Sequence, residues 1–310
     1  MCEIPTLSRT VLITGATGKQ GGSVITALLK AKGDFEILAV TRDASSGGAQ
    51  KLQAKSSNIK LVEGNLDEPE KIFDNAHKVT SQPIWGVFSV QVPVPGGSNQ
   101  EVEEKQGKDL VDAALKNNVK HFVYSSVDRG GDASFNSPTP IPHFISKHKI
   151  EHHLVETTKG SEMTWTILRP VAFLENFTPD FFGKVFATCW KKTVKEKPLQ
   201  LISVGDIGFF GTQAFMFPNQ YQNRGISLAG DELTYGEMAK VFKNKTGKSV
   251  PTTFGFVAKA LMAMMKDLGY MFQWFYDVGY GANIPELRKV HPELKDFRTW
   301  LEKDSGFDNK

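Results

Sequence analysis

Three glycines spaced three apart, Gly15, Gly18 and Gly21, follow the apolar run Val11-Leu12-Ile13 in the stretch V-L-I-T-G-A-T-G-K-Q-G-G. Glycine leaves the backbone bare, so main-chain N–H groups can close on a phosphate where a Cβ would stand in the way. Gly15 permits a sharp turn, Gly18 admits a pyrophosphate to the amides, and Gly21 lets helix and strand pack closely. A helix opening on such a turn also presents the positive end of its dipole to the anion. Thr17, Lys19 and Gln20 complete the loop and are assigned to the same cradle. The spacing G-x-x-G-x-x-G carries weight only because a strand pattern precedes it and a helix pattern follows. The chemistry it predicts is the grip of a dinucleotide diphosphate.

The choice of dinucleotide falls to the tip of the next strand, about twenty residues on, where an acid would hold a ribose 2′-hydroxyl. That tip reads Thr41-Arg42, with Asp43 one step past it. A guanidinium forks onto a 2′-phosphate and keeps its charge at any working pH. Lys19 is expected at the same corner. Two cations and no acid at the tip select NADP(H); the plainer alternative is a solvated Arg42 at a strand end.

Such a site needs elements to hold it, and the first half of the chain alternates between two periodicities. After the glycines, Ser23 to Lys30 places Val24, Ala27 and Leu28 on one helical face. Phe35 to Val40, Ile59 to Val62 and Ile84 to Val90 are short apolar runs ended by polar residues or prolines. Glu101 to Asn117 is amphipathic, Val119 to Ser125 reads as strand, Ser146 to Thr157 as helix, and Thr164 to Leu168 as strand again. Strand and helix in alternation predict a doubly wound parallel α/β sheet of the Rossmann type. Beyond Pro170 the regularity fades and phenylalanines thicken, which predicts a smaller, mostly helical C-terminal cap. The expected division is a cofactor-binding domain over 1–172 and a cap or substrate region over 173–310, interleaved with the first. Ser45-Ser46-Gly47-Gly48 is expected to be a loop.

Composition sets the outer limits. A chain of 310 residues, 40% hydrophobic and 23% charged, has the profile of an ordinary globular protein. A formal charge of +3 does not argue for nucleic acid, and the lysines at 184, 191, 192, 195 and 197 are expected to be a solvated face. Two cysteines, Cys2 and Cys189, form no disulfide framework and favour a reducing compartment, the cytosol with a nuclear pool allowed. The apolar stretch Phe254 to Met265 is too short to span a bilayer, so it is expected to be a packed helix and no membrane is expected. Four of the seven histidines, His143, His148, His152 and His153, fall close together. With no H-E-x-x-H, no nearby Cys and no third ligand they are expected to be surface residues, and no metal is assigned. No G-x-S-x-G elbow accompanies Ser125, which argues against a hydrolase.

These residues resemble a family, the NmrA-like proteins, atypical members of the short-chain dehydrogenase/reductase superfamily. The resemblance rests on T-G-A-T-G-K-Q-G-G at 14–22, V-T-R at 40–42, G-N-L-D at 64–67 and F-S-V at 88–90. It continues through H-F-V-Y-S-S at 121–126, H-F-x-x-K-x-x-x-E at 143–151 and T-I-L-R-P-V-A-F-L-E-N-F at 166–177. I-S-V-G-D-I-G at 202–208 and T-W-L at 299–301 match as well. The resemblance implies that Asn65 and Leu66 flank the adenine and that Ser89, Val90 and Gln91 run past the nicotinamide ribose. It implies that Lys147 reaches that ribose, and that Val171 to Phe177, with Phe173 and Asn176, close over the nicotinamide. Phe173 and Phe177 are also expected near a substrate, because they follow the strand end at Arg169-Pro170.

Standard members of the superfamily place a tyrosine four residues before the lysine, with a serine on the preceding strand end. Here the fourth residue before Lys147 is His143; Ser125 and Ser126 hold the strand end, and Tyr124 belongs to the strand. Three readings stay open. His143 serves as the acid, since an imidazole ordinarily titrates near neutrality. Lys147 or a water acts alone on a substrate needing little proton donation, such as an imine or activated alkene. Or the site does no chemistry, and the protein senses NADPH against NADP+ and changes protein partners accordingly.

Overall fold

The computed structural model describes residues 9–31, 33–91 and 100–308. The first half alternates as β1 (Arg9–Ile13), α1 (Lys19–Lys30), β2 (Phe35–Thr41), α2 (Gly47–Gln53), β3 (Ile59–Glu63), α3 (Pro69–Val79) and β4 (Ile84–Ser89). It continues with α4 (Gln100–Lys116), β5 (His121–Ser125), α5 (Pro142–Thr157) and β6 (Thr164–Pro170). These strands, with β9 (Arg224–Leu228), make a 7-stranded sheet in the order β3-β2-β1-β4-β5-β6-β9, parallel throughout. The order reverses between β1 and β4, so a crevice opens at the carboxyl ends of those two strands.

Period-two packing explains why β1 reads as an unbroken apolar run. Val11 and Ile13 face a layer containing Val24 and Ile25 of α1, whereas Leu12 faces one containing Phe73 of α3, Leu110 of α4 and Ile150 of α5. All three β1 residues are fully buried because helices cover both faces of the sheet. Fully burying each such side chain contributes roughly 1.5–3 kcal/mol.

Two boundaries differ from the sequence reading. Ser46 caps α2 by accepting from the Ala49 N–H, so Gly47 and Gly48 begin a helix rather than finish a loop. The α5 helix starts at Pro142, not Ser146. Ile141 before it is extended, as proline demands of its predecessor, and proline at the first turn lacks an N–H the helix would leave unused. His143 therefore sits in the first turn of α5.

Beyond β6 run β7 (Ala172–Phe173), α6 (Phe181–Cys189), β8 (Leu199–Ile202), α7 (Val204–Met216), α8 (Pro218–Tyr221), β9 (Arg224–Leu228) and β10 (Asp231–Leu233). Then come α9 (Tyr235–Thr246), α10 (Gly255–Met264), α11 (Lys266–Asp277), α12 (Ile284–Val290) and α13 (Phe297–Lys303). The chain twice returns to the sheet: α7 packs along α1, and β9 adds the last parallel strand beside β6. Strands β7, β8 and β10 form a separate 3-stranded sheet. An aromatic core built on Phe177, Phe186, Trp190, Phe272, Phe297 and Trp300 organises the remaining helices. The stretch expected to be a packed helix over 254–265 forms α10, which packs on α6 and α11 through Ala258, Leu261 and Met262 while its other face stays exposed. No helix among the described residues is long and apolar enough to cross a membrane.

At the amino end of β5, far from the crevice along the strand, His121 is buried against Trp85, ring centroids 5.9 Å apart. Its ring nitrogens contact Thr164 Oγ1 at 2.8 Å and Thr166 Oγ1 at 3.1 Å. Each hydroxyl also has a backbone acceptor, the Lys120 carbonyl at 3.1 Å for Thr164 and the Tyr221 carbonyl at 2.9 Å for Thr166. Burial, reinforced by the nearby Arg9, lowers the imidazole pKa from 6.5 to about 4. The unfolded chain binds this proton below 6.5 while the fold resists until about 4, so stability falls as pH drops through that window. Urea denaturation at pH 7 and pH 4.5 should show a loss with a His121 share on the order of 2–3 kcal/mol. His121→Gln should flatten the slope; an unaltered slope would remove His121 as its source.

Candidate functional site

The crevice begins at the glycine turn. Thr14, buried at the end of β1, donates from its hydroxyl to the Phe88 and Val90 carbonyls and accepts from the Val90 N–H at 2.9 Å. One side chain thus pins the turn to the carboxyl end of β4. Gly15 then takes φ +59°, a left-handed conformation that favours glycine, and a Cβ there would stand 2.8 Å from Val90 Cγ1. A Cβ on Gly21 would stand 2.4 Å from the Gly15 carbonyl oxygen, so α1 seats directly on the turn. Helix α1 has no side-chain cap and no acid in its first turn, leaving its leading N–H groups and positive pole to the crevice.

Arg42 lies exposed just past β2, with no ion-pair partner among the described residues. The expectation that Lys19 shares this corner is corrected. Its Nζ donates to the Glu175 carbonyl at 3.2 Å and so ties the glycine turn to the segment after β7. Asn65 follows β3 and donates from its side chain to Asp67 at 2.8 Å, with Leu66 half-buried between them.

The floor between β4 and β5 is polar and closed to solvent. Ser89 accepts from Gln91 Nε2 at 2.9 Å, while Gln91 Oε1 is buried with no hydrogen-bond partner among the described residues. Such an orphaned acceptor invites a donor from a bound molecule. Ser125 donates to Gln20 Oε1 at 2.5 Å, joining the end of β5 to the first turn of α1. The predicted proton-handling serine and the predicted cradle glutamine therefore occupy one another.

Helix α5 supplies the opposite wall. Lys147 is nearly buried, its Nζ 2.9 Å from Glu103 Oε1 of α4 and 6.0 Å from the Tyr124 ring centroid. The contact is a close ion pair rather than an aligned hydrogen bond, since Glu103 Oε1 has no partner of hydrogen-bond geometry. Ser146 donates to the other oxygen of Glu103 at 2.6 Å. One turn earlier, His143 Nδ1 lies 2.7 Å from Asp267 Oδ2, and Asp267 Oδ1 accepts from the His143 backbone N–H at 3.3 Å. A residue from the first turn of α11 thus grips the first turn of α5. Tyr124 is not a ready acid. Burial, with Glu103 and Glu151 adding to it, raises its phenol well above the ordinary value, and its hydroxyl lacks a partner among the described residues.

Behind the wall, Glu151 lies wholly buried between two guanidinium groups, 2.9 Å from Arg129 and 2.7 Å from Arg169, and accepts from Ser126. Burial alone would raise its carboxyl; Arg129 first and Arg169 next outweigh burial and hold it below the ordinary range. The network joins the loop after β5, α5 and β6. Asp128 extends it to the cap by accepting from the Gly130, Gly131 and Gly281 N–H groups. Glu175 accepts from the Val204 N–H at 3.1 Å and from Trp300 Nε1 at 3.2 Å, and its burial raises its carboxyl.

The structure thus brings Gly15, Thr17, Gly18, Gln20, Gly21, Ser89, Val90, Gln91 and Ser125 to one crevice, with His143 and Lys147 on α5 beside β5. Phe173 is half-buried at β7, followed by Asn176. Phe177, expected near a substrate, is buried in the cap core, 5.2 Å from Phe186 and 5.5 Å from Phe297 by ring centroid. The surface reading of the histidines is corrected too. His148 and His152 are half-buried with both Nε2 atoms against the Phe135 carbonyl, at 3.0 and 2.8 Å. Among the described residues no cluster could hold a metal. Glu103 and Asp267 had no local signal, because each meets its partner only across the fold. Glu151 stands in H-F-x-x-K-x-x-x-E, a visible signal whose role the pattern alone did not reveal. A groove of about 1170 Å³ runs along the outer flank of α1 between α2 and α7. It touches the turn at Ala16 to Lys19 but includes neither Arg42, Ser125 nor Lys147, so we place the site in the crevice instead.

Parallel sheet, switch point, glycine turn and uncapped α1 define a doubly wound α/β protein with a dinucleotide-type cradle. Residues 8–302 match the NmrA-like family, and the chain belongs to it. It is 27% identical to an NmrA-like family domain-containing oxidoreductase of Penicillium ochrochloron, over 77% of this chain and 73% of that one. In fold it is similar to the Citrobacter sp. triphenylmethane reductase complexed with NADP(H) (TM-score 0.71, 17% identity, 95% and 99% of the two chains). It is also similar to NmrA, a negative transcriptional regulator, in complex with NADP (TM-score 0.65, 18% identity, 96% and 95% covered). The same regulator is known in complex with NAD (TM-score 0.66, 18% identity, 96% and 95% covered).

The seat of α1 gives a direct test. Gly21→Ala should destabilise the fold by about 1–3 kcal/mol in urea, because backbone must move to admit the methyl. Gly48→Ala has nothing within 4 Å of its Cβ and should be stabilising by up to about 1 kcal/mol, since alanine is the better helix former. Equal effects at the two positions would refute the close approach.

Proposed function

We propose that the crevice binds NADP(H) and that the chain is an NADPH-dependent reductase of a small organic carbonyl, imine or activated alkene. The observation that carries the cofactor reading is the glycine turn, with no room for a Cβ at Gly21, facing an exposed and unpaired Arg42 at the next strand tip. The turn amides and the pole of α1 hold the diphosphate, and Arg42 forks onto the 2′-phosphate. Gln91 Oε1, buried and unpaired, accepts from the cofactor. The relatives support the reading: one is named an oxidoreductase, and two structural neighbours are NADP complexes.

When bound, the reduced cofactor supplies a hydride. Glu103 pairs with Lys147 at 2.9 Å and holds it toward the nicotinamide ribose, in the position where the superfamily's lysine works. Asp267 Oδ2 stands 2.7 Å from His143 Nδ1 without hydrogen-bond alignment, and this ring is the candidate to pass a proton to substrate. Ser125, bound to Gln20, orients the cradle more than the substrate.

A second reading is favoured by one contact. Lys19 links the glycine turn to Glu175, whose carboxylate in turn holds Val204 of α7 and Trp300 of α13. Cofactor in the turn would be felt in the cap, as a non-catalytic NADPH/NADP+ sensor that binds protein partners requires. The similarity to a transcriptional regulator supports this reading.

Calorimetry separates the cofactors. Arg42→Asp should weaken NADPH by about a hundredfold or more and NADH much less, because it removes a phosphate partner and adds a like charge. Equal losses would end the 2′-phosphate argument. Against a panel of carbonyls, imines and enones, the reductase reading expects NADPH oxidation that Lys147→Ala reduces at least tenfold. No oxidation, together with NADPH and NADP+ binding of unequal strength, would favour the sensor.

A further inference from the structure

Helix α10 and the residue before it carry an outward face that nothing among the described residues covers. Phe254, Phe256 and Met264 are 74%, 72% and 79% exposed, and the Phe254 and Phe256 rings stack on each other at 5.7 Å. The opposite face of α10 seats Ala258, Leu261 and Met262 on the cap core, so Phe256 and Met264 are left outward. Soluble surfaces scatter single apolar residues; a stacked aromatic pair where one short helix opens and a methionine where it ends mark a contact surface.

The lysine run and the exposed helix, remote in sequence, meet here. Lys192 Cε comes within 3.5 Å of where a Cβ would stand on Gly255, between the two exposed phenylalanines. Lys259 lies on α10 itself, one turn from Phe256, and Lys266 follows directly after Met265. Lys191 lies over the Tyr235 ring, and Lys195 and Lys197 over the Tyr276 ring. None of these six lysines has a carboxylate partner among the described residues, whereas Lys105, Lys108, Lys149 and Lys159 on α4 and around α5 all do. Helix α10 contains no Asp or Glu.

The geometry points to a peripheral membrane-binding surface: α10 lies in the headgroup region of an anionic bilayer, Phe254, Phe256 and Met264 entering the acyl boundary and the lysines meeting lipid phosphates. Two features select this occupant. Side chains three-quarters exposed stand off the surface, and a bilayer yields to a protrusion where a folded partner would need a matching pocket. A second copy meeting the same face would set unpaired lysines against unpaired lysines. The earlier expectation of no membrane rested on span length, which an in-plane helix does not need. The inference is independent of the reductase reading.

Sedimentation with vesicles tests it, using the full chain at low ionic strength. Vesicles of phosphatidylcholine with phosphatidylserine should bind the protein, and vesicles of phosphatidylcholine alone should bind it at least tenfold more weakly. Lys192→Gln, Lys259→Gln and Lys266→Gln together should lower partitioning about a hundredfold. Phe254→Ser, Phe256→Ser and Met264→Ser together should lower it at least tenfold, with an unchanged circular dichroism spectrum. Hydrogen exchange on the unsubstituted protein supplies a second readout: α10 amides should slow when anionic vesicles are added. No binding to anionic vesicles, binding untouched by either set of substitutions, or unchanged α10 exchange would each overturn the proposal. So would self-association in sedimentation velocity that the apolar substitutions abolish, which would assign the face to a second copy.

Discussion

The contact on which the site depends is the approach of α1 to the end of β1, where Gly21 lies against the carbonyls of Thr14 and Gly15 with no space for a side chain. That approach aims the free N–H groups of α1 into the crevice. It also sets the height of α1 above the sheet, and α7 leans on α1, so the return of the chain to the sheet inherits the same geometry. Thr14 reinforces it from below by locking the turn to β4 across the switch point. A turn held from both sides is rigid before any ligand arrives, and preorganised donors lose little entropy on binding.

The second wall rests on buried charge. Glu151 between Arg129 and Arg169 fixes α5 against the ends of β5 and β6, and α5 carries both Lys147 and His143. A buried ion network adds little net stability over an apolar core, yet removing one partner strands a charge at a cost of about 3–5 kcal/mol. Its value here is positional: each carboxylate oxygen admits few arrangements of two guanidinium groups and a serine hydroxyl. Lys147 and His143 are each met by an acid from another element, Glu103 of α4 and Asp267 of α11, so α4, α5 and α11 converge at one place.

The cap is built on different physics. Its core is aromatic rings in edge-to-face contact, a packing that tolerates varied helix angles. Polar threads attach it to the cofactor layer: Asp128 to Gly281, and Glu175 to Val204 and Trp300. Helix α10 hangs at its edge with its apolar face outward, a helix positioned by its neighbours α6 and α11 more than by its own burial.

Local sequence determined the sheet, the turn and the first helix, because period-two burial, glycine geometry and a helix start are properties of adjacent residues. Val11 to Gly21 announces its own conformation, and the parallel order follows from alternation and crossover handedness. The start of α5 is set by Pro142, four residues before the helix pattern beginning at Ser146. What only the tertiary structure decided is who meets whom across the fold. Lys19 turns to Glu175 rather than to Arg42, Phe177 faces the cap core, and Lys147 and His143 acquire acids from α4 and α11. The apolar stretch over 255–264 reads as a packed helix, yet which of its faces is covered depends on what packs against it, and that is not written in the stretch itself.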